Sequence, residues 1–177
     1  STITPPSRYS FLFRYQNASA PGTVAVQKPF SISNAASDYD VSFCWDHTSS
    51  PRTLFHRRAA GAYDQVTIPP GVLTSNTDYS IGGRYDGSQI SIFVDGVLQS
   101  SAAAGDPTAS VSPTIAALAG SAGTANFDDG TISDFGVWNA ALTDDEFLSH
   151  GRGYTCEQIR PQSLLVAWPL IREYVPT

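Results

Sequence analysis

Hydrophobic and polar positions alternate most clearly between residues 82 and 99, where Ile90, Ile92 and Val94 occupy every second position. An alternation of period two is typical of a strand with one face in a core. Two Asp-Gly dipeptides, Asp86-Gly87 and Asp95-Gly96, flank the alternating residues 90–94. Asp-Gly supplies the positive φ angles that tight hairpin turns need, so the pattern predicts antiparallel hairpins here.

Short runs of strand-favouring residues recur along the rest of the chain. Predicted strands cover 9–15, 40–45, 53–57, 65–68, 79–85, 89–94, 114–119, 131–138 and 163–170. Pro169 indicates that the far end of the last strand lies at a sheet edge, because proline has no backbone N–H to donate to a neighbouring strand. The stretch 16–38 is rich in small and polar residues around a short apolar run, and 102–113 is predicted to be a loop of small residues.

The chain contains one predicted helix, near residues 144–150. Thr143 and Glu146 form a capping box, in which the hydroxyl accepts from the third helical amide and the carboxylate accepts from the cap amide. The two aspartates between them favour the positive end of the helix dipole. Gly151 is predicted to end the helix.

Composition supports an all-β class. The chain has 177 residues, with 14 Gly and 12 Pro, and only 15% of its residues are charged. This mixture is typical of many short strands joined by turns, and the length suits one domain. We therefore expect an antiparallel β-sandwich over residues 1–170, followed by a tail over 171–177.

Charge and hydropathy exclude several function classes. Residues 1–60 carry six Lys or Arg against three acids (+3), and residues 61–177 carry four Arg against thirteen acids (−9), which gives the net charge of −6. An acidic chain with one small basic cluster is not expected to bind nucleic acid. No apolar run is long enough to span a membrane, and no signal peptide is visible at the first residue. The difference in charge between residues 1–60 and 61–177 reflects either aspartates in solvated turns or a dipolar surface that helps a neighbouring copy or partner to dock.

Cys44 and Cys156 are the two cysteines of the chain. They are predicted to be buried free thiols, and one long-range disulfide is the alternative. Neither cysteine belongs to a CxxC or Cys/His spacing that would indicate a zinc site.

Two segments carry a family resemblance. Residues 84–98 (Arg-Tyr-Asp-Gly-Ser-Gln-Ile-Ser-Ile-Phe-Val-Asp-Gly-Val-Leu) resemble the central hairpin of laminin-G-like, concanavalin A-like jelly rolls. Residues 130–146 are similar to the family's penultimate block, where a strand leads into Asn-x-Ala-Leu and a capped helix. The family often has two acids after the isoleucine of that strand, whereas this chain has Ser133 and Asp134. The resemblance implies a jelly-roll arrangement of the sandwich.

The segment 159–170 is similar to tails of laminin-G-like proteins of bacteria and their phages. This similarity implies a virion or cell-surface location. Related folds include glucanases that use paired glutamates in one strand. The three glutamates of this chain, Glu146, Glu157 and Glu173, form no such pattern, so a glycoside hydrolase is the less favoured alternative and no catalytic role is expected.

Four residues are candidates for glycan binding. Trp45 and Asp46 end a predicted strand and combine an aromatic face with a hydrogen-bond acceptor, and Tyr63 with Asp64 in a predicted loop could join them. The alternative places Trp45 in the core, where Tyr85 and Trp138 are also expected.

Other residues are candidates for partner docking and for metal binding. Arg52, Arg57 and Arg58 are candidates for docking on a neighbouring structural protein or on another copy in a homo-oligomer. Asp128 and Asp129 could bind calcium, because hard cations take several oxygen ligands, or could simply form an Asp-Asp-Gly turn.

These observations predict a non-catalytic surface module. In one version the module is lectin-like and binds glycans, and in the other it is a capsid decoration or tail component without glycan binding.

Overall fold

The computed structural model describes residues 7–16, 27–34, 39–46, 52–59, 62–105, 113–118 and 130–169. The strands are β1 (Tyr9–Gln16), β2 (Gln27–Asn34), β3 (Tyr39–Asp46), β4 (Arg52–Ala59), β5 (Ala62–Ile68), β6 (Asp78–Tyr85), β7 (Gln89–Val94), β8 (Val97–Ala103), β9 (Pro113–Leu118), β10 (Thr131–Trp138) and β11 (Leu164–Trp168). One helix, α1 (Asp144–Gly151), and two short 3-10 turns, Cys156–Gln158 and Pro161–Ser163, lie between β10 and β11.

The strands form two antiparallel sheets. The larger sheet has the order β11-β10-β1-β6-β7-β8, and the smaller has the order β5-β4-β3-β2-β9. The N-terminal strand β1 lies at the centre of the larger sheet, between β10 and β6. The predicted antiparallel β-sandwich with one short helix is confirmed.

The main core lies between the two sheets. Alternate residues of β1 point into it, and Phe13 packs edge-on against Phe43 of the opposite sheet with 5.4 Å between ring centroids. Tyr85 is also buried in this core, as its sequence context predicts. Burial of these aromatic rings holds the two sheets together.

A second core covers the outer face of the larger sheet. Its members are Leu12, Phe93, Trp138, Leu142, Phe147, Cys156 and Ile159. Phe147 of α1 stacks on Phe93 of β7, with ring centroids 4.0 Å apart and planes inclined by 6°. Gly82 permits this approach, because a Cβ there would lie 2.5 Å from the Phe147 ring. The helix and the 3-10 turns therefore pack over the centre of this sheet, and β1 is buried on both faces.

The predicted strands are confirmed, with end residues that differ by up to three positions. Two observed strands were not predicted. β2 contains Pro29 within a polar stretch, and β8 ends in the small residues Ser-Ser-Ala-Ala, so neither shows a clear hydrophobic alternation. The predicted loop at 102–113 therefore overlaps the last two residues of β8, which ends at Ala103. The apolar run at 23–26 lies outside the described residues.

The two Asp-Gly turns differ in detail. Asp95 and Gly96 both have positive φ, 50° and 77°, which is the backbone conformation of the predicted tight hairpin. At the other turn only Gly87 has positive φ, and the Asp86 carboxylate accepts from the amides of Ser88 and Gln89.

The capping box at α1 is present. Thr143 Oγ1 accepts from the Glu146 amide at 3.4 Å, and Glu146 Oε2 accepts from the Thr143 amide at 2.7 Å. Glu146 also forms a salt bridge with Arg160, with 2.7 Å between Arg160 Nη2 and Glu146 Oε2. Gly151 is the last residue of the helix. A glycine is needed at position 151 for close packing, since a Cβ there would lie 2.6 Å from the Asp95 carbonyl oxygen.

Thr143→Ala should lower the free energy of unfolding by about 1 kcal/mol, because the cap oxygen is lost. Denaturant unfolding measures this change. Thr143→Ser retains the oxygen and should lose much less; an equal loss in both variants would contradict the capping role.

No helix in the described part of the chain is both long and apolar enough to cross a membrane.

Candidate functional site

The predicted binding residues lie on the smaller sheet at two separate ends. Trp45 pairs with Thr53, which pairs in turn with Ile68 at the end of β5. The prediction that Tyr63 and Asp64 lie in a loop is wrong, because both belong to strand β5 and pair with β4, and Tyr63 is five residues from Ile68. At about 3.3 Å per residue, these two positions are roughly 17 Å apart along the strand. One sugar ring cannot contact both ends, so the structure does not bring Trp45 and Tyr63 together.

The β4–β5 hairpin brings the other candidates together. Arg57 pairs with Asp64, and Arg58 pairs with Tyr63. The half-buried Asp64 also accepts a hydrogen bond from the Gly105 amide, just beyond β8, with 3.2 Å between Oδ2 and N. This contact ties the hairpin to the larger sheet at the same end of the sandwich. We call Arg57, Arg58, Tyr63 and Asp64 the hairpin end.

At the opposite end, Asp46 pairs with Arg52. The third predicted docking arginine is therefore separated from the other two by the length of β4. Asp128 and Asp129 lie outside the described residues, so calcium binding there stays a prediction.

The hairpin end offers groups that recognise sugars or protein partners. An aromatic ring can stack on the apolar face of a sugar, and a carboxylate can accept hydroxyl hydrogen bonds. Guanidinium groups recognise carboxylates in a planar, two-bonded geometry. Sequence reasoning assigned the tyrosine and the arginines to different roles, whereas the strand register places Arg58 opposite Tyr63 on one face of the hairpin and Arg57 opposite Asp64 on the other.

A second polar cluster, which sequence reasoning missed, lies under α1. His150 Nδ1 is 2.5 Å from Ser80 Oγ, and His150 Nε2 is 3.1 Å from Asp134 Oδ2. The Cys156 thiol donates to the Asp134 carbonyl oxygen at 3.0 Å, and its amide donates to the carboxylate. Arg14 donates to the His150 carbonyl oxygen at 2.9 Å, so the cluster joins β1, β6, β10 and α1.

The environment of this cluster perturbs two pKa values. Burial alone would raise the pKa of Asp134, but hydrogen bonds from His150 and the Cys156 amide, and the charges of His150 and Arg14, outweigh it and lower that pKa. Burial, followed by the negative charge of Asp134, raises the pKa of the Cys156 thiol. The carboxylate is therefore ionised and the free thiol protonated at neutral pH.

Ser80, His150 and Asp134 are the residue types of a nucleophilic triad. Ser80 is 3% exposed and His150 is 0% exposed, so this arrangement gives a substrate no access to the serine oxygen. The cluster was hidden in the sequence because its members are far apart along the chain. Asp134 was the available signal, since the family resemblance had already drawn attention to Ser133 and Asp134.

Cys156 is a buried free thiol, as predicted, and Cys44 has no described side chain. Trp138 is buried, as expected, and its indole nitrogen donates to the Ile159 carbonyl oxygen at 2.8 Å.

Comparison with known proteins identifies relatives of this fold. The family model of the concanavalin A-like lectin/glucanase superfamily matches residues 7–147. No curated protein sequence matches.

Several solved structures are similar in fold at low identity. A Bacteroides ovatus protein named for carbohydrate binding has a TM-score of 0.67 and 15% identity, over 96% of this chain and 48% of that protein. The CBM40 domain of a Ruminococcus gnavus IT-sialidase, bound to α2,3-sialyllactose, has a TM-score of 0.61 and 17% identity, over 81% of this chain and 82% of that domain. A heptameric SAP-like pentraxin from Limulus polyphemus has a TM-score of 0.59 and 12% identity, over 96% of this chain and 83% of that one.

Proposed function

The chain belongs to the concanavalin A-like lectin/glucanase superfamily, and from that premise we propose that it is a non-catalytic module that binds glycans at the hairpin end. The observation that carries this proposal is the register of β4 and β5, which sets Arg58 beside Tyr63 and Arg57 beside Asp64. Arg58 and Tyr63 share one face of the hairpin, and Arg57 and Asp64 share the other.

Arg58, which lies on the same face as Tyr63, favours a glycan that carries a negative charge. A sugar carboxylate can pair with a guanidinium group while the tyrosine ring stacks on the sugar face. The similar fold of a domain bound to sialyllactose supports the same class of ligand.

Absence of catalysis is part of this proposal. The sequence contains no paired-glutamate pattern, and the two glutamates among the described residues have other surroundings: Glu146 is engaged at the helix cap, and Glu157 lies exposed in a 3-10 turn. The superfamily includes enzymes, so an assay for glycan hydrolysis belongs beside every binding assay.

A second candidate function is docking on a neighbouring protein of a virion or cell surface. It uses the same hairpin, because β4 carries Arg57 and Arg58, one on each face, next to its turn into β5. In that case, the reversal Arg57→Glu with Arg58→Glu should abolish loading on the particle, and glycans should not compete.

A glycan array with the purified chain, run with calcium and again with chelator, tests the proposed function. We expect binding to acidic glycans, and loss on chelation would support a calcium site at Asp128 and Asp129. A blank array in both conditions would overturn the glycan proposal in favour of docking.

Point variants then test the location of the site. Tyr63→Ala and Arg58→Ala should each raise the Kd for the best glycan about tenfold, equivalent to about 1.4 kcal/mol. Tyr154→Ala, which removes an exposed tyrosine beside α1, and Arg52→Ala, at the other end of β4, are the matched controls. Isothermal titration calorimetry measures each Kd, and unchanged affinity in both hairpin variants would exclude the hairpin end.

A further inference from the structure

We propose that Asp134, His150 and Cys156 form a binding site for one divalent metal ion and that Zn²⁺ is the ion that fits their chemistry. The three side chains offer a carboxylate oxygen, an imidazole nitrogen and a sulfur, and these are the ligand atoms that Zn²⁺ takes in proteins. They come from β10, α1 and the 3-10 turn Cys156–Gln158. Such a site is independent of glycan binding at the hairpin end.

The ligand atoms are already close to one coordination sphere. They lie within 4.8 Å of one another, and His150 Nε2 is 3.1 Å from Asp134 Oδ2. Tetrahedral zinc, with bonds of about 2.0–2.3 Å, separates its ligand atoms by about 3.3–3.5 Å. Side-chain shifts on the order of 1 Å therefore close the site around the ion.

The residues around the ligands are arranged as supports. Ser80 Oγ contacts the far nitrogen of the His150 ring, and the Ser80 amide is itself held by Asp95 Oδ1 at 2.8 Å. A hydrogen bond to the second ring nitrogen is the usual way in which a metal-binding histidine is oriented. The fully buried ring thus presents Nε2 towards Asp134 and Cys156.

The backbone conformation of Asp134 belongs to a β-bulge in β10. Its φ of 48° lies in the left-handed region, where the register sets Asp134 and Phe135 opposite Phe13 of β1. A bulge of this kind changes the direction in which a side chain points. The conformation lets the carboxylate reach His150 and the Cys156 amide at once.

Ligand chemistry selects the class of metal. A sulfur ligand and a buried imidazole favour zinc and neighbouring transition metals over calcium or magnesium, which prefer oxygen. The carboxylate and thiolate together carry two negative charges and match a divalent ion. A water molecule would complete a three-residue site.

Metal binding rearranges the protons of the cluster. Without metal, His150 contacts Ser80 Oγ through Nδ1 and Asp134 Oδ2 through Nε2, and the thiol donates to the Asp134 carbonyl oxygen. On binding, the thiol releases its proton to solvent, and the imidazole carries its proton on Nδ1. Nδ1–H then donates to Ser80 Oγ, and the Nε2 lone pair faces the metal.

The test uses the whole chain, first freed of metal with a chelator. Zn²⁺ is added either to the folded protein or during refolding, because His150 is fully buried. After gel filtration, elemental analysis should find one zinc per chain, with a higher Tm than the metal-free protein. Co²⁺ in place of Zn²⁺ should give a thiolate-to-cobalt charge-transfer band in the near ultraviolet. Absence of both zinc and band under both loading conditions would overturn the proposal.

The second cysteine provides the matched control. Cys44→Ala leaves Cys156 as the only cysteine of the chain, so the cobalt band should persist in that variant. Loss of the band in a folded Cys44→Ala protein would overturn the assignment. His150→Gln should reduce the zinc content below one per chain, and unchanged stoichiometry and affinity would also contradict the site.

Discussion

Replacing Gly96 by alanine should lower the free energy of unfolding by about 3–5 kcal/mol, because the change combines backbone strain with a steric clash. Gly96 has a φ of 77°. A Cβ there would overlap the Cα of Leu148 and lie 2.7 Å from its amide nitrogen. Both atoms belong to the backbone of α1, so the helix itself must move. Denaturant unfolding measures the loss.

Gly71→Ala is the matched control for the clash. Gly71 has a similar φ of 84°, but nothing lies within 4 Å of its Cβ position. We expect a loss of only about 1–2 kcal/mol there, since strain acts alone. Equal decreases in the free energy of unfolding at the two glycines would contradict the close contact between α1 and the β7–β8 turn.

Asp134→Ala should lower the free energy of unfolding by about 3 kcal/mol, because it leaves buried partners without their acceptor. The completely buried His150 ring loses the acceptor at Nε2, and the Cys156 amide loses both carboxylate contacts. Asp78→Ala, at an exposed aspartate at the start of β6, is the control and should change stability by about 0.5 kcal/mol or less. Urea unfolding of metal-free protein separates this effect from metal binding.

The same aspartate makes part of the stability depend on pH. Its pKa in the folded protein is lowered from 3.8, so ionisation favours the folded state. The contribution is complete above 3.8 and is lost as the pH falls through the lowered value. The stability difference between the wild type and Asp134→Asn should therefore shrink below pH 3.8; a difference that grows on acidification would contradict the lowered pKa.

Local patterns predicted most of the fold, because the signals that set it are local. The alternation at residues 90–94 and the capping box at Thr143 each depend on a few neighbouring residues, and both are present in the structure. β2 was missed since Pro29 and its polar neighbours weaken the strand pattern, whereas pairing with β3 and β9 supplies the missing preference. Tertiary context of this kind leaves little trace in a short window of sequence.

The candidate sites were harder to predict, since they depend on register and on distant residues. Tyr63 and Arg58 were each identified, but only the pairing of β4 with β5 shows that they are neighbours. The Asp134 cluster joins residues separated by tens of positions, and Cys156 shows no metal-binding spacing. Spatial clusters assembled from single residues are not visible to a search for motifs.

The central position of β1 has a consequence for how the chain acquires its structure. Ser10 pairs with Trp138 on one side and with Arg84 on the other, so β1 can complete its second edge only after residues about 130 positions later have been made. Topologies rich in such distant pairings fold slowly. During synthesis, the apolar sequence of β1 emerges long before β10 can cover its second edge, and an uncovered strand of this kind is prone to aggregate. Yield of correctly folded protein should therefore be governed by how well β1 is protected until β10 has been made.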